Sequence, residues 1–499
     1  MHGAHEHGTF DDARRDSLRR TPWLFASVVF HGVVFLIAAQ FPWSVARDRA
    51  DDARIVSEAP PPVDPIDPPE PPEPVEPRTV DTLEPIELPE VAETPVEADV
   101  PNPETALALS PLAAPFDANR SNDVLGVGGG AGGPRGGGSG RRRIERRNGR
   151  ANETVDRGLE WLARHQDPRG HWSSAGFSDM CETNRCDGEG SAMHDVGVTG
   201  LALLAFLGSG HHPDHGRYRT NVSRGLRWLA DRQDAETGCF GEPNAHEQFL
   251  YDHLLASLAM TEAYGMCRRP TLAPIAQKGV NFVHATRNPY RGWRYAWPPN
   301  GQSDLSVTGW AILALKSAKE FGLRVDEAAF DGTRHLLDEL TDDATGRTGY
   351  LRRGGYSARE PGMEERWPHE KTEAMTAVAV LCRAMLGEDP DRSPAMRAGA
   401  DLLRKQLPLF DPAEGTIDYY YWYYGSYAMW QMGGRDWDTW QRKMLDAVVE
   451  TQRHDSDERG SWDPQFDPWG HRGGRVYATA IMTLCLEVYF RYDRVVGSR

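Results

Sequence analysis

The chain has 499 residues and a formal net charge of −17, and neither charge nor composition is evenly spread. Residues 57–104 hold 14 acids and one base, residues 126–150 hold seven Arg and one Glu, and 15 of the 36 prolines lie between positions 60 and 103. These figures exclude a single globular body, and the mild acidity left to residues 151–499 excludes a nucleic-acid-binding main domain, which needs a basic face.

Five segments follow in chain order. Residues 1–21 read as a cytoplasmic tail carrying Arg14, Arg15, Arg19 and Arg20. Residues 22–43 read PWLFASVVFHGVVFLIAAQFPW, with Trp23 and Trp43 at the ends and no Asp, Glu, Lys or Arg from Trp23 to Phe41. At about 1.5 Å rise per residue such a run matches a bilayer's hydrocarbon core. The basic tail predicts a single-pass bacterial inner-membrane protein with its N-terminus cytoplasmic and the rest periplasmic. Residues 44–125 are a disordered Pro/Glu-rich spacer, too poor in apolar residues to fold and extended by proline and like charge. Residues 126–150, GVGGGAGGPRGGGSG followed by RRRIERRNGR, form a Gly/Arg-rich hinge. Residues 151–499 are the folded domain.

Within the span, Ser27 and His31 lie four residues apart and face one side of a helix. RRTPWLFASVVFHGVVFLI resembles the N-terminal anchor of TonB-type energy transducers, in which basic residues precede an apolar helix with a Ser-x-x-x-His pair. That resemblance implies contact with a proton-channel complex in the inner membrane. The remainder of the chain does not match the TonB receptor-binding domain, so energy transduction is not implied.

From residue 151 one phrase recurs in degraded form: RGLEWLARHQDPRGHW from Arg157, RGLRWLADRQDAETGCF from Arg224, KGVNFVHATRNPYRGW from Lys278, and KMLDAVVETQRHDSDERGSW from Lys443, with weaker copies at 332 and 398. A recurrence about every 50 residues signals a repeat architecture in which each unit needs its neighbours. Each phrase is an amphipathic helix followed by a Gly-containing turn and a second, almost wholly apolar helix. The second helices are predicted at 196–207, 251–264, 305–321, 371–386, 419–432 and 476–489. A helix apolar nearly all round is buried, so the domain is all-α, an α/α toroid of six hairpins with an outer and an inner ring.

Arg157-Gly158, Trp161-Leu162, Gln166, Gly170 and Trp172 resemble the repeat of terpenoid cyclases and protein prenyltransferases (the prenyltransferase/squalene oxidase repeat), and the domain resembles an uncharacterised bacterial group carrying it. The resemblance implies that the Gln bonds backbone at a neighbouring helix end while the Trp stacks over it. It implies no activity by itself, and the motifs of those enzymes are incomplete here. Asp455-Ser456-Asp457-Glu458 approximates a cyclase acid but lies in a repeat turn, and residues 151–499 have no Asp-Asp-x-x-Asp cluster.

Two readings of the first long turn stay open. An extracytoplasmic location favours a disulfide between Cys181 and Cys186. Alternatively Asp179, Cys181 and His194 supply a zinc set. Zinc apart, no cofactor is expected.

Acids cluster where the inner helices begin. Asp195, Asp252, Asp304 and Asp418 are the candidate catalytic acids, although Asp at a helix start also caps free N–H groups. Tyr251, Trp293, Trp310, Glu373, Tyr420, Trp422, Tyr424, Arg475 and Tyr477 are the candidate ligand-binding residues around the same mouth. Aromatics with carboxylates suit an isoprenoid, a glycan or a peptide. The leading expectation is a membrane-anchored toroid that binds such a ligand or partner in the cell envelope without demonstrable catalysis. The alternative is an enzyme of terpenoid cyclase, prenyltransferase or glycan-cleaving type.

Overall fold

The computed structural model describes residues 149–488. The expected anchor with Ser27 and His31, the spacer and most of the hinge lie outside them. Among the described residues no helix is long and apolar enough to cross a membrane, and the chain forms twelve α-helices, four short 3-10 turns and no strand. The outer helices are α1 (Gly149–Arg164), α3 (Arg219–Asp231), α5 (Ala273–Ala285), α7 (Ala328–Leu340), α9 (Pro394–Lys405) and α11 (Gly434–Val449). The inner helices are α2 (Asp195–Gly208), α4 (Phe249–Cys267), α6 (Leu305–Glu320), α8 (Ala374–Met385), α10 (Tyr419–Met432) and α12 (Gly470–Leu486).

Sequence composition separates the two sets. On α1 one stripe is buried, including Val155, Leu159 and Leu162, whereas α2 buries every residue from Gly197 to Gly208. A stripe suits a helix with water on one side, and burial all round requires neighbours on every side. The inner helices pack in sequence, α2 on α4, α4 on α6, α6 on α8, α8 on α10 and α10 on α12, and α12 packs back on α2. The ring is closed.

The hairpin unit differs from the one expected. The phrase and the inner helix after it are joined by long connections, such as 165–194 and 341–373, while an inner helix and the outer helix after it are joined by short ones, such as 268–272 and the single Gly433. Each outer helix therefore packs on the inner helix before it. Gly225 of α3 sits where a Cβ would lie 3.0 Å from Leu203 of α2, and Gly279 of α5 where it would lie 2.9 Å from Ser257 of α4. The sixth pair consists of α12 and α1, from opposite ends of the domain, and Gly158 of α1 meets Thr483 of α12 in the same way.

The repeat residues make the bonds that join units. Gln166 Nε2 donates to Gly170 O in its own turn (2.7 Å) and to Asn221 O near the start of α3 (2.9 Å). Gln233 reaches Gly238 O and Ile275 O likewise, and Gln452 reaches Gly460 O and Thr154 O of α1. Trp172, Trp293 and Trp462 are fully buried, and each donates its ring N–H to an outer-helix carbonyl, of Leu162, Val283 and Val448. The turn glycines Gly170 and Gly460 have φ of 109° and 97°, and a Cβ there would strike Arg224 O and Arg157 O of the next outer helix. Glycine is required on both counts.

Candidate functional site

The N-terminal ends of all six inner helices surround one cavity of about 1030 Å³, mouth included. Its walls come from the first turns of those helices and from the long connections. Tyr251, Tyr295, Trp310, Tyr350, Tyr420 and Tyr477 line it, with Val198, Leu201, Leu255, Met375 and Ile481 between them. Trp310 is held rigidly, stacked on Tyr423 at 5.3 Å and edge-on to Tyr424 at 5.4 Å.

The charged groups at the walls are engaged with one another. Arg359 donates to Asp418 Oδ2 (2.8 Å), and both side chains are 2% exposed. Asp418 also accepts from Thr372 Oγ1 and, through Oδ1, from Tyr421 N, capping α10. Asp467 stands close by, accepting from Tyr419 N and Trp469 N. Burial and the nearby Asp418 hold the Asp467 carboxyl well above the usual carboxylate range. Across the mouth Glu360 takes hydrogen bonds from Arg472 Nε (3.0 Å) and His471 Nε2 (2.9 Å). Burial opposes ionisation of Glu360, but these two partners outweigh it and its carboxyl is lowered.

Asp304 has a different setting. It is fully buried and caps α6, its Oδ1 accepting from Val307 N (2.9 Å) and Ser306 Oγ (2.7 Å). Its Oδ2 has no hydrogen-bond partner. Burial pushes its carboxyl up to about 6, against the capping bonds that favour the charged form. Ser306 also accepts from the Tyr251 hydroxyl. Asp304 thus reaches the cavity through Ser306 and Tyr251, both of which line it.

A third group lies at the α2–α4 side. His194 Nδ1 is 3.3 Å and His246 Nε2 3.1 Å from Asp252 Oδ2, with the two rings edge to face. His194 and Asp252 line the cavity. Gly197 of α2 makes the room, since a Cβ there would fall 2.2 Å from Asp252 Oδ1.

Of the candidate acids, only Asp252 lines the cavity. Asp195 turns away, accepting from Ser174 N (2.8 Å) and facing His171 Nε2 (3.6 Å). Asp418 and Asp304 lie one layer behind the wall. Of the candidate binding residues, Tyr251, Trp310, Tyr420 and Tyr477 line the cavity and the others do not. Trp293, Trp422 and Tyr424 are core residues, because one inner helix presents only one side to the cavity and its remaining sides to neighbouring helices. Glu373 is bound by Arg347 (2.7 Å) and Thr376 Oγ1 (2.8 Å). Arg475 is fully buried among Asp187, Glu458 and Asp463. Asp179 and His194 do not converge with Cys181: Asp179 is exposed beside Arg185, and His194 belongs to the Asp252 group. Cys181 and Cys186 are thiols whose sulfurs lie 3.1 Å apart. Sequence reasoning missed His246, Ser306, Arg359, Glu360 and Arg472, which sit in connections or at helix starts without a recurring motif.

No family model matches the chain, and no curated protein matches it. Solved structures are similar at low identity. The GH76A alpha-1,6-mannanase of Salegentibacter sp. is 11% identical, with a TM-score of 0.47 over 68% of this chain and 98% of that one. The cellobiose 2-epimerase of Bacillus thermoamylovorans is 14% identical, with the same score and coverage. A variant of the type II terpene cyclase MstE from Scytonema, in complex with geranylgeranyl dihydroxybenzoate, is 12% identical, with a TM-score of 0.42 over 68% of this chain and 98% of that one. At these scores none of them fixes the chemistry of this chain, and the ring itself is given by the contact of α12 with α2.

Proposed function

We propose that the toroid binds an elongated apolar ligand of the isoprenoid class in the cavity at the inner-helix N-termini. The observation that carries this reading is the state of the wall. It is aromatic and aliphatic, and its charged members, Asp252, Arg359, Glu360 and Arg472, are already matched to protein partners. Glycoside hydrolysis would need two carboxyl groups facing the same sugar, and the two in the wall, Asp252 and Glu360, are engaged by His194 and His246 and by Arg472 and His471. Asp304 and Asp418 stand behind the wall, which weighs against that reading. An apolar chain needs only area and shape, and the aromatic and aliphatic lining offers both. The N-terminal span and spacer, argued from sequence, would hold the cavity at the periplasmic side of the inner membrane, where such lipids occur.

A second reading rests on Asp304. A carboxyl pushed up to about 6, towards which Ser306 and, behind it, the Tyr251 hydroxyl donate, is suited to draw a proton from a bound ligand through that chain. Both readings are tested on the full chain in mild detergent with farnesyl and geranylgeranyl alcohols and diphosphates, alongside mannose and glucose oligosaccharides. Saturable isoprenoid binding that weakens about tenfold in Trp310→Ala is expected, a loss of the size that one stacked ring supplies. Oligosaccharide binding in its place, or isoprenoid binding indifferent to Trp310→Ala, would sink the proposal. Conversion of a bound isoprenoid that stops in Asp304→Asn while binding persists establishes the enzyme reading.

A further inference from the structure

The first connection is the feature least explained by the ring. Residues 165–194 contain only two short 3-10 turns, yet they lead directly into α2 and the cavity. A connection of this length without its own secondary structure needs an anchor. At its base His165, Cys181 and Cys186 converge. His165 Nε2 is 3.5 Å from each sulfur, and the sulfurs are 3.1 Å apart. His165 and Cys186 are buried, and Cys181 is partly so.

We propose that this trio binds a zinc ion through three protein ligands, the fourth tetrahedral position going to water, and that the ion pins the first connection to the end of α1. The donor set is two thiols and one imidazole, the chemistry zinc selects. In a tetrahedral site with Zn–S of about 2.3 Å and Zn–N of about 2.1 Å, S···N separations are about 3.6 Å and S···S about 3.8 Å. The observed S···N distances already fit, and the sulfurs need to part by about 0.7 Å. A disulfide requires them to close to about 2.05 Å, a larger movement.

The surroundings are those of a metal site. His165 Nδ1 lies 2.8 Å from Trp161 O. A carbonyl only accepts, so Nδ1 carries the proton and the Nε2 lone pair points at the sulfurs. This is the orienting bond that zinc-bound histidines make. Cys186 N donates to Cys181 Sγ (3.2 Å). Binding expels two thiol protons to solvent, and the two thiolates balance the charge of the ion.

The site also stands at the ring's closing point. Thr183 N and Asn184 N, between the two cysteines, both donate to Asp457 Oδ2 (2.7 Å each) in the last repeat turn, and Arg475 N of α12 donates to Gly188 O. An ion at Cys181 and Cys186 would therefore stiffen the segment through which the last repeat grips the first. Asp457 and Glu458, part of the Asp455-Ser456-Asp457-Glu458 run, serve this junction. Glu458 Oε1 receives Arg475 Nη2 (3.2 Å).

The test is elemental analysis of the full chain, purified in detergent with reductant and without chelator. About one zinc per chain is expected, lost in Cys181→Ser and in Cys186→Ser and retained in His194→Ala and Asp252→Asn. Cobalt substituted into the unmutated chain provides a readout independent of the variants, with thiolate-to-cobalt charge-transfer absorption in the near ultraviolet. A metal-free chain with free thiols would overturn the proposal. So would a chain, purified without reductant, whose cysteines resist alkylation until reduced, or zinc that survives both cysteine changes and leaves with His194→Ala.

Discussion

Gln452→Ala probes the closure of the ring. The Gln452 side chain is 3% exposed and makes three bonds, two of them across the junction of the last and first repeats. Its Nε2 donates to Thr154 O (2.8 Å) and to Gly460 O (3.0 Å), and its Oε1 accepts from Arg157 Nε (2.8 Å). At about 1 kcal/mol for each bond lost, the change costs about 3 kcal/mol. With unfolding entropy of about 2.1 cal/mol/K per residue over about 340 residues, this is a fall in Tm of about 4 °C. Gln406 stands one residue short of the equivalent place in its repeat, is half-buried, and its Nε2 makes one bond, to Glu370 O at 3.3 Å. Gln406→Ala should therefore cost under about 1 kcal/mol, or about 1 °C. Calorimetry of the full chain and both variants measures the difference. Equal shifts, or a Gln452→Ala shift below that of Gln406→Ala, would refute the view that the junction between the turn after α11 and α1 carries this bonding.

Two further outcomes follow from the buried charges. Asp304 has a folded-state carboxyl raised above its unfolded value of 3.8, so the folded state binds the extra proton and stability falls as pH rises from about 4 through about 6. Asp304→Asn keeps a capping oxygen and removes that penalty. Its Tm should exceed that of the parent chain at pH 7.5, by an energy on the order of 3 kcal/mol, and match it at pH 4. A Tm at pH 7.5 equal to or below the parent's counts against the raised carboxyl. Arg359→Met leaves the Asp418 carboxylate buried and unpaired, which costs about 3–5 kcal/mol. Arg472→Met breaks its more exposed pair with Glu360 and should cost about 1 kcal/mol or less. Denaturant titration ranks the two, and the reverse order would contradict the burial of the Arg359–Asp418 pair.

Much of the body was legible because composition alone distinguishes its two kinds of helix. The inner helix 419–432 was placed to the residue, and 305–321 to within one. The mouth was legible in part. Acids at the inner-helix starts do surround one cavity, yet Asp304 and Asp418 cap α6 and α10 from behind its wall. Tyr420 faces the cavity while its neighbours Tyr419 and Tyr421 are buried away from it, bonding Asp463 O and Gln406 O. Side-chain direction in a run of six aromatics depends on which neighbours flank the helix, and no local pattern records that.

The all-helical class, the alternation of amphipathic and buried helices, and the Gln, Gly and Trp positions that join one repeat to the next are all legible in the chain's local pattern. Those are local properties of period and composition. The tertiary structure decided which helices pair. The recurring phrase precedes each inner helix in the chain, but short connections and glycine contacts make each outer helix pack on the inner helix before it. The first outer helix is then left without a predecessor, and only α12, more than 300 residues later, can supply it. Because the partner is distant in sequence, closure is a property of the assembled ring, and so are the cavity at its mouth and the cysteine–histidine cluster beside the junction.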